Sequence, residues 1–223
     1  MDVPSNGEEP RWHAGLAVIA ALVLYVTLPA KLVVGPVWVL PVVLAVILVP
    51  LMIVSPHRRQ EAAWQRWASI AHIAVLNAFN VGTVVELLIW VLEPHRVKHP
   101  LTGDLLLKSA VQIWLTNIIV YALWFWEIDR HGPEVRERGT PEQQLRRADF
   151  LFPQMALQPE LRFKWKPKFF DYIFLSFTNA TAFSPTDTFP LTPFAKLLMM
   201  GEALTSLVTI AVIAGRAINI LGT

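Results

Sequence analysis

Apolar residues run along this chain in long blocks separated by short polar stretches. A bilayer core about 30 Å thick needs about 20 mostly apolar residues for a helix to cross it. Residues 14–30, 32–54, 67–92, 105–126 and 194–220 are the candidate spans. The second holds Pro36, Pro41 and Pro50, so a kinked or broken helix is expected there. Residues 169–183 form a shorter apolar stretch. As a helix it extends about 22 Å, which is marginal for a crossing and suits a half-membrane helix. The expected fold is all-α: a polytopic membrane helix bundle of five or six membrane helices. That number includes the short or re-entrant helix at about 169–183.

The polar stretches divide the chain further. Residues 1–13 are a polar tail and 14–128 a four-helix membrane region. Residues 129–168 form a long basic connection, and 169–221 a helix–loop–helix. The tail carries Asp2, Glu8 and Glu9 against Arg11, so 14–30 reads as a retained span and not a secretory signal. The run Phe150-Leu151-Phe152 is expected to rest on the membrane surface or on other helices.

Composition supports the block pattern. The chain is 54% hydrophobic and 16% charged, where soluble domains average nearer 25% charged. A formal net charge of +2 gives no footprint for nucleic acid. With no cysteine, disulfide scaffolds, thiol catalysis and Cys-based zinc sites are excluded. GxSxG, HExxH, P-loop and GxGxxG motifs are absent, so neither an enzyme nor a cofactor is expected. His95 and His99 have i, i+4 spacing, but in a basic loop they read as headgroup-facing.

Ionisable groups inside a span are costly and mark candidate sites. The third span holds His72, Asn77, Asn80 and Glu86, and the fourth Asn117 and Tyr121. In the last span Glu202, Ser206, Thr209 and Arg216 fall on one helical face. Glu86, Glu202, Ser206, Thr209 and Arg216 are therefore candidates for a hydrated path. The asparagines read as interhelical hydrogen-bonding groups. At the end of the fourth span Trp124 and Trp126 suit an interfacial belt, with Glu127, Asp129 and Arg130 at a solvated helix end.

From Asp171 the chain reads DYIFLSFTNATAFSPTDTFPLTPFAKLLMMGEAL. Over about 34 residues this resembles, without a gap, the pore module of potassium channels. Asp171 fits the pore-helix start, Ser176-Phe177 the Ser-Phe pair, Thr181 a filter threonine and Asp187 the closing aspartate. Lys196-Leu197-Leu198 and Glu202-Ala203-Leu204 fit the inner helix. Where that family has TVGYGD, this chain has Ala182-Phe183-Ser184-Pro185-Thr186-Asp187. Both filter glycines and the tyrosine are replaced, so a carbonyl ladder selective for potassium is not expected. The resemblance implies instead a site lined by Thr178, Asn179, Thr181, Ser184 and Thr186, with Asp187 drawing cations to its mouth. The blocks IWLTNIIVYALWFWEIDR, DFLFPQM and SFTNATAFSPTDT also resemble a bacterial family of multi-pass membrane proteins. That likeness implies an inner (plasma) membrane location and no activity.

Basic residues in short loops mark the cytoplasmic side. Six full crossings would place 14 of the 19 Lys and Arg inside and 5 outside. A pore helix entered from outside after four spans inverts that division, so charge and resemblance disagree. The expected function is a cation channel-like membrane protein, not selective for potassium. Its partners would be the lipid bilayer and monovalent cations, in a homotetramer. The alternative is a non-conducting, transporter-like or accessory membrane protein.

Overall fold

The computed structural model describes residues 12–54, 63–92, 102–138, 142, 146–156, 165–181 and 187–221. Side chains are described within that set except at 48–54, 63–65, 134, 137–138 and 216–221. Seven helices are used below: α1 (Trp12–Val26), α2 (Val39–Val54), α3 (Ala63–Leu92), α4 (Gly103–Ile128), α5 (Pro133–Arg138), α6 (Phe169–Thr181) and α7 (Pro193–Leu221). Among the described residues, three segments are long and apolar enough to cross a membrane: Arg66–Leu92, Gly103–His131 and Pro193–Gly215. The chain is a helical membrane protein.

The second apolar block is broken at Pro36, whereas Pro41 and Pro50 lie inside the continuous helix α2. Residues 27–38 turn, Pro36 closes the turn by accepting the Val39 N–H at 3.0 Å, and helix resumes only at Val39. Helix α4 is enclosed along its second half, where every residue from Thr116 to Ile128 is buried except Ile119. Helices α1, α3, α6 and α7 all pack on it.

Two helix starts are written locally. In α6 the Asp171 carboxylate reaches back to accept the Lys168 N–H at 2.7 Å, half of a capping box. In α7 Thr192 is the N-cap, accepting the Ala195 N–H at 3.3 Å, and Pro193 fills the first helical position.

Both starts lie at the C-terminal end of α4. Phe169 meets Trp126 edge-on at 5.9 Å, and Phe194 meets Trp124 at 6.5 Å. Deeper in, the Ser176 hydroxyl donates to the Ile118 carbonyl at 2.7 Å, and Asn117 donates to Ser206 at 2.9 Å. Helices α6 and α7 thus run in one direction, both antiparallel to α4. Helix α6 descends 13 residues, about 20 Å. By Phe189 the chain is back at the level where it began. There β2 (Phe189–Pro190) pairs antiparallel with β1 (Phe150–Leu151), in register Phe150↔Pro190.

Helices α1 and α3 also start at this end. His13 of α1 lines a cleft with Phe169, and Arg66 of α3 hydrogen-bonds His131 at 3.3 Å. At the opposite end, Trp90 donates to the Lys31 carbonyl at 3.1 Å.

Candidate functional site

The charged end of α4 is not solvated. Glu127, Asp129 and Arg130 are all buried, as are Trp124 and Trp126. The expectation of an exposed helix end fails because the 129–168 connection folds back over it. Asp129 Oδ1 accepts the Asp149 N–H at 2.9 Å, and Asp129 Oδ2 accepts the Tyr172 hydroxyl at 2.5 Å. Asp149 then accepts the Arg130 N–H at 3.2 Å and the Thr192 hydroxyl at 2.7 Å. Arg136 of α5 donates to the Trp126 and Asp129 carbonyls and lies over the Trp126 and Tyr172 rings. Phe150 packs on Phe125 and Phe152 on Tyr172, so this run rests on helices. The chain passes through the knot in left-handed conformation at Arg130 (φ 54°), His131 (φ 65°) and Gly132 (φ 101°). Such strain persists only where the surroundings hold it.

A second polar cluster lies deeper, among α3, α4, α6 and α7. Glu202 is fully buried. One carboxylate oxygen shares the Ser176 hydroxyl with the Ile118 carbonyl, and the other accepts the Asn179 amide at 2.7 Å. Asn179 also donates to the Met199 carbonyl at 2.9 Å, fixing α6 to α7 twice. Asn117 of α4 donates to Ser206 and, at 3.3 Å, to the Glu202 carbonyl. Its own oxygen accepts from Asn80 of α3 at 3.0 Å. The Tyr121 ring lies near Asn77, Thr205 and the same carboxylate. Buried polar groups without partners cost free energy, and a half-satisfied network costs more than none. This one is nearly closed: the Asn80 and Asn77 side-chain oxygens are its buried atoms without a partner.

The predicted site residues divide between three places. Asn179, Glu202 and Ser206 join the buried network. Thr178, Thr181 and Thr209 turn back on their own helices, bonding the Phe174, Thr178 and Thr205 carbonyls at 2.9, 3.0 and 2.8 Å. Glu86 is half-buried on α3 and joins none of these bonds. Asp187 is exposed, and its carboxylate accepts the Thr188 hydroxyl at 3.4 Å. Ser184 and Thr186 lie outside the described residues, as does the Arg216 side chain. Sequence reasoning passed over Ser176 as a site residue. Its signal was there: it follows Tyr172 by four positions, on the face of α6 that meets α4.

Among the described residues no group of three or more His, Cys, Asp and Glu could hold a metal ion. What the cluster can do is hold a hairpin rigid and keep a carboxylate between membrane helices. No family model, curated protein or solved structure matches this chain.

Proposed function

We propose that this protein is a cation channel-like membrane protein of the bacterial inner membrane, built on a re-entrant hairpin. One observation carries the reading: α6 and α7 start at the same end, run in the same direction, and are locked together by Glu202, Ser176 and Asn179. A helix about 20 Å deep followed by a return to the same level is the geometry of a pore helix and its loop. In a homotetramer the inner ends of four α6 helices and residues 178–187 surround the path. Leu197, Met200, Leu204 and Leu207, exposed on α7, line the cavity below. Without the filter glycines the path discriminates weakly among monovalent cations.

This arrangement reconciles a re-entrant α6 with the charge rule, though with the pore helix entered from the other side. With α6 re-entrant, the chain makes five crossings. The hairpin end then gathers Arg11, Arg58, Arg59, Arg66, the nine basic residues of 129–168 and Lys196. That is 14 of the 19, and the far end keeps 5. The charge rule makes the hairpin end cytoplasmic. The pore helix enters from inside, opposite to the sense that the potassium-channel resemblance implies.

A chain without cysteine tests this directly. Gly139→Cys should react with an impermeant thiol reagent only after permeabilisation, and Thr223→Cys in intact cells. Six crossings would hide both. Purified protein in liposomes should pass K⁺ and Na⁺. A monomer with no flux above empty liposomes removes the pore. The second reading, a non-conducting accessory protein, draws support from Asn179, whose amide is spent on Glu202 and Met199, away from the exposed Phe170–Phe174–Phe177 face of α6.

A further inference from the structure

An apolar cleft of about 500 Å³ opens between α1 and α6 at the hairpin end. One wall is Leu16, Ala17 and Ala20 of α1, the other Phe169 and Ile173 of α6, and Ile119 of α4 is the floor. The alanines make the space: long side chains at 17 and 20 would close it. The cleft is of small-molecule size, yet its lining offers almost no polar group to fix a polar solute. Polarity gathers at one place only, where His13 and Lys168 stand at the rim.

The rim lies where headgroups would lie. Trp12, beside His13, is more than half exposed, and so is Trp67, one residue past Arg66 at the same end. Exposed tryptophans at a helix end mark the headgroup level. Lys166 and Lys168 are both exposed there, in the end that carries most of the chain's basic residues.

We propose that the cleft binds one acidic phospholipid per protomer. An acyl chain lies between α1 and α6, and the phosphate sits at Lys168 and His13. Apolar walls and a basic mouth at the membrane surface complement an anionic lipid and no soluble anion. Because Phe169 and Ile173 belong to the first turns of α6, the lipid braces the helix that begins the hairpin. The site rests on membrane embedding and not on conduction, so it stands or falls separately from the pore.

The test uses the purified full-length protein, equilibrated with equal amounts of phosphatidylglycerol and phosphatidylcholine, with bound lipid counted by native mass spectrometry. Phosphatidylglycerol should be retained in preference. Lys168→Gln should weaken its retention roughly fivefold, the worth of one basic residue at a lipid surface. Ala20→Phe, at an exposed position, should fill the cleft and abolish retention of both lipids. Lys196→Gln, exposed at the same end but outside the cleft, should change nothing. Equal retention of the two lipids overturns the proposal. So does full retention in Lys168→Gln or Ala20→Phe, or a loss in Lys196→Gln as large as that in Lys168→Gln.

Discussion

Tyr172, four residues into α6, donates its hydroxyl proton to Asp129, just past the end of α4, at 2.5 Å. Both side chains are fully buried, and the bond joins the start of the hairpin to the fold-back of the 129–168 connection. Removing the hydroxyl leaves Asp129 Oδ2 with only the Arg130 guanidinium, at 3.5 Å, in a buried place. Tyr172→Phe should therefore lower stability by about 1–3 kcal/mol, the cost of an unsatisfied buried polar group. Thermal unfolding in detergent, followed by tryptophan fluorescence, reads it. Asp129→Ala removes the acceptor for Tyr172 and for Asp149 together and should cost more than Tyr172→Phe.

Glu202 stands at the contact between α6 and α7. Glu202→Gln keeps one oxygen as an acceptor for Ser176 but turns an amide N–H₂ toward the Asn179 donor, or the reverse. Glu202→Ala takes one partner from each, leaving Ser176 the Ile118 carbonyl and Asn179 the Met199 carbonyl. The expected order of stability is wild type, then Gln, then Ala, with Ala lower by about 1–3 kcal/mol from two lost hydrogen bonds. If Glu202 served only an ion path, both variants would lose flux at unchanged stability. Measuring both properties on the same preparations separates the roles.

How much of this was legible beforehand follows from the physics of each element. The long helices announce themselves because a bilayer demands length and apolarity. Pro36 likewise marks the break before α2. The Thr192-Pro193 start of α7 is local chemistry, readable in two residues. The knot was not readable. Glu127, Asp129 and Arg130 at a helix end look solvated in any one-dimensional reading. Only the return of Asp149 and Phe150, some twenty positions later, buries them. The network was half readable. Asn80 and Asn117 on neighbouring spans suggest a bond, yet nothing in the sequence tells that Ser176 and Glu202 meet. Direction was the largest gap: 14 basic residues against 5 fit both a full crossing and an inward-entered hairpin. The second is the one in which α7, like α6, starts beside the C-terminal end of α4, as Phe194 does against Trp124.

Gly201 lies where α7 crosses the Tyr121 ring. A Cβ there would meet the Tyr121 hydroxyl at 2.9 Å, closer than real Cβ contacts run. The Tyr121 hydroxyl must then shift from its place beside Asn77 and Thr205. Gly201→Ala should cost about 1–3 kcal/mol from overpacking, despite the better helix propensity of alanine. Tyr121→Phe makes room by removing the oxygen. The double variant should therefore be more stable than Gly201→Ala alone, read by unfolding in detergent.

Asn80 and Asn117 give the cleanest measure of what the buried network contributes. The pair spans α3 and α4 at 3.0 Å, and both side chains are almost fully enclosed. In a membrane the unfolded reference also finds partners, so interhelical hydrogen bonds contribute about 0.6 kcal/mol on average and about 1.7 at most. Asn117 differs from an average partner in that it donates to Ser206 and Glu202 on α7 as well. A double-mutant cycle of Asn80→Ala and Asn117→Ala should return a coupling of about 0.5–1.5 kcal/mol, within that membrane range. Asn117→Ala alone should cost more than Asn80→Ala alone, because it releases three partners and not one. If the two single variants cost the same, the bonds from α4 to α7 contribute little. Glu202, Ser176 and Asn179 would then hold the hairpin unaided.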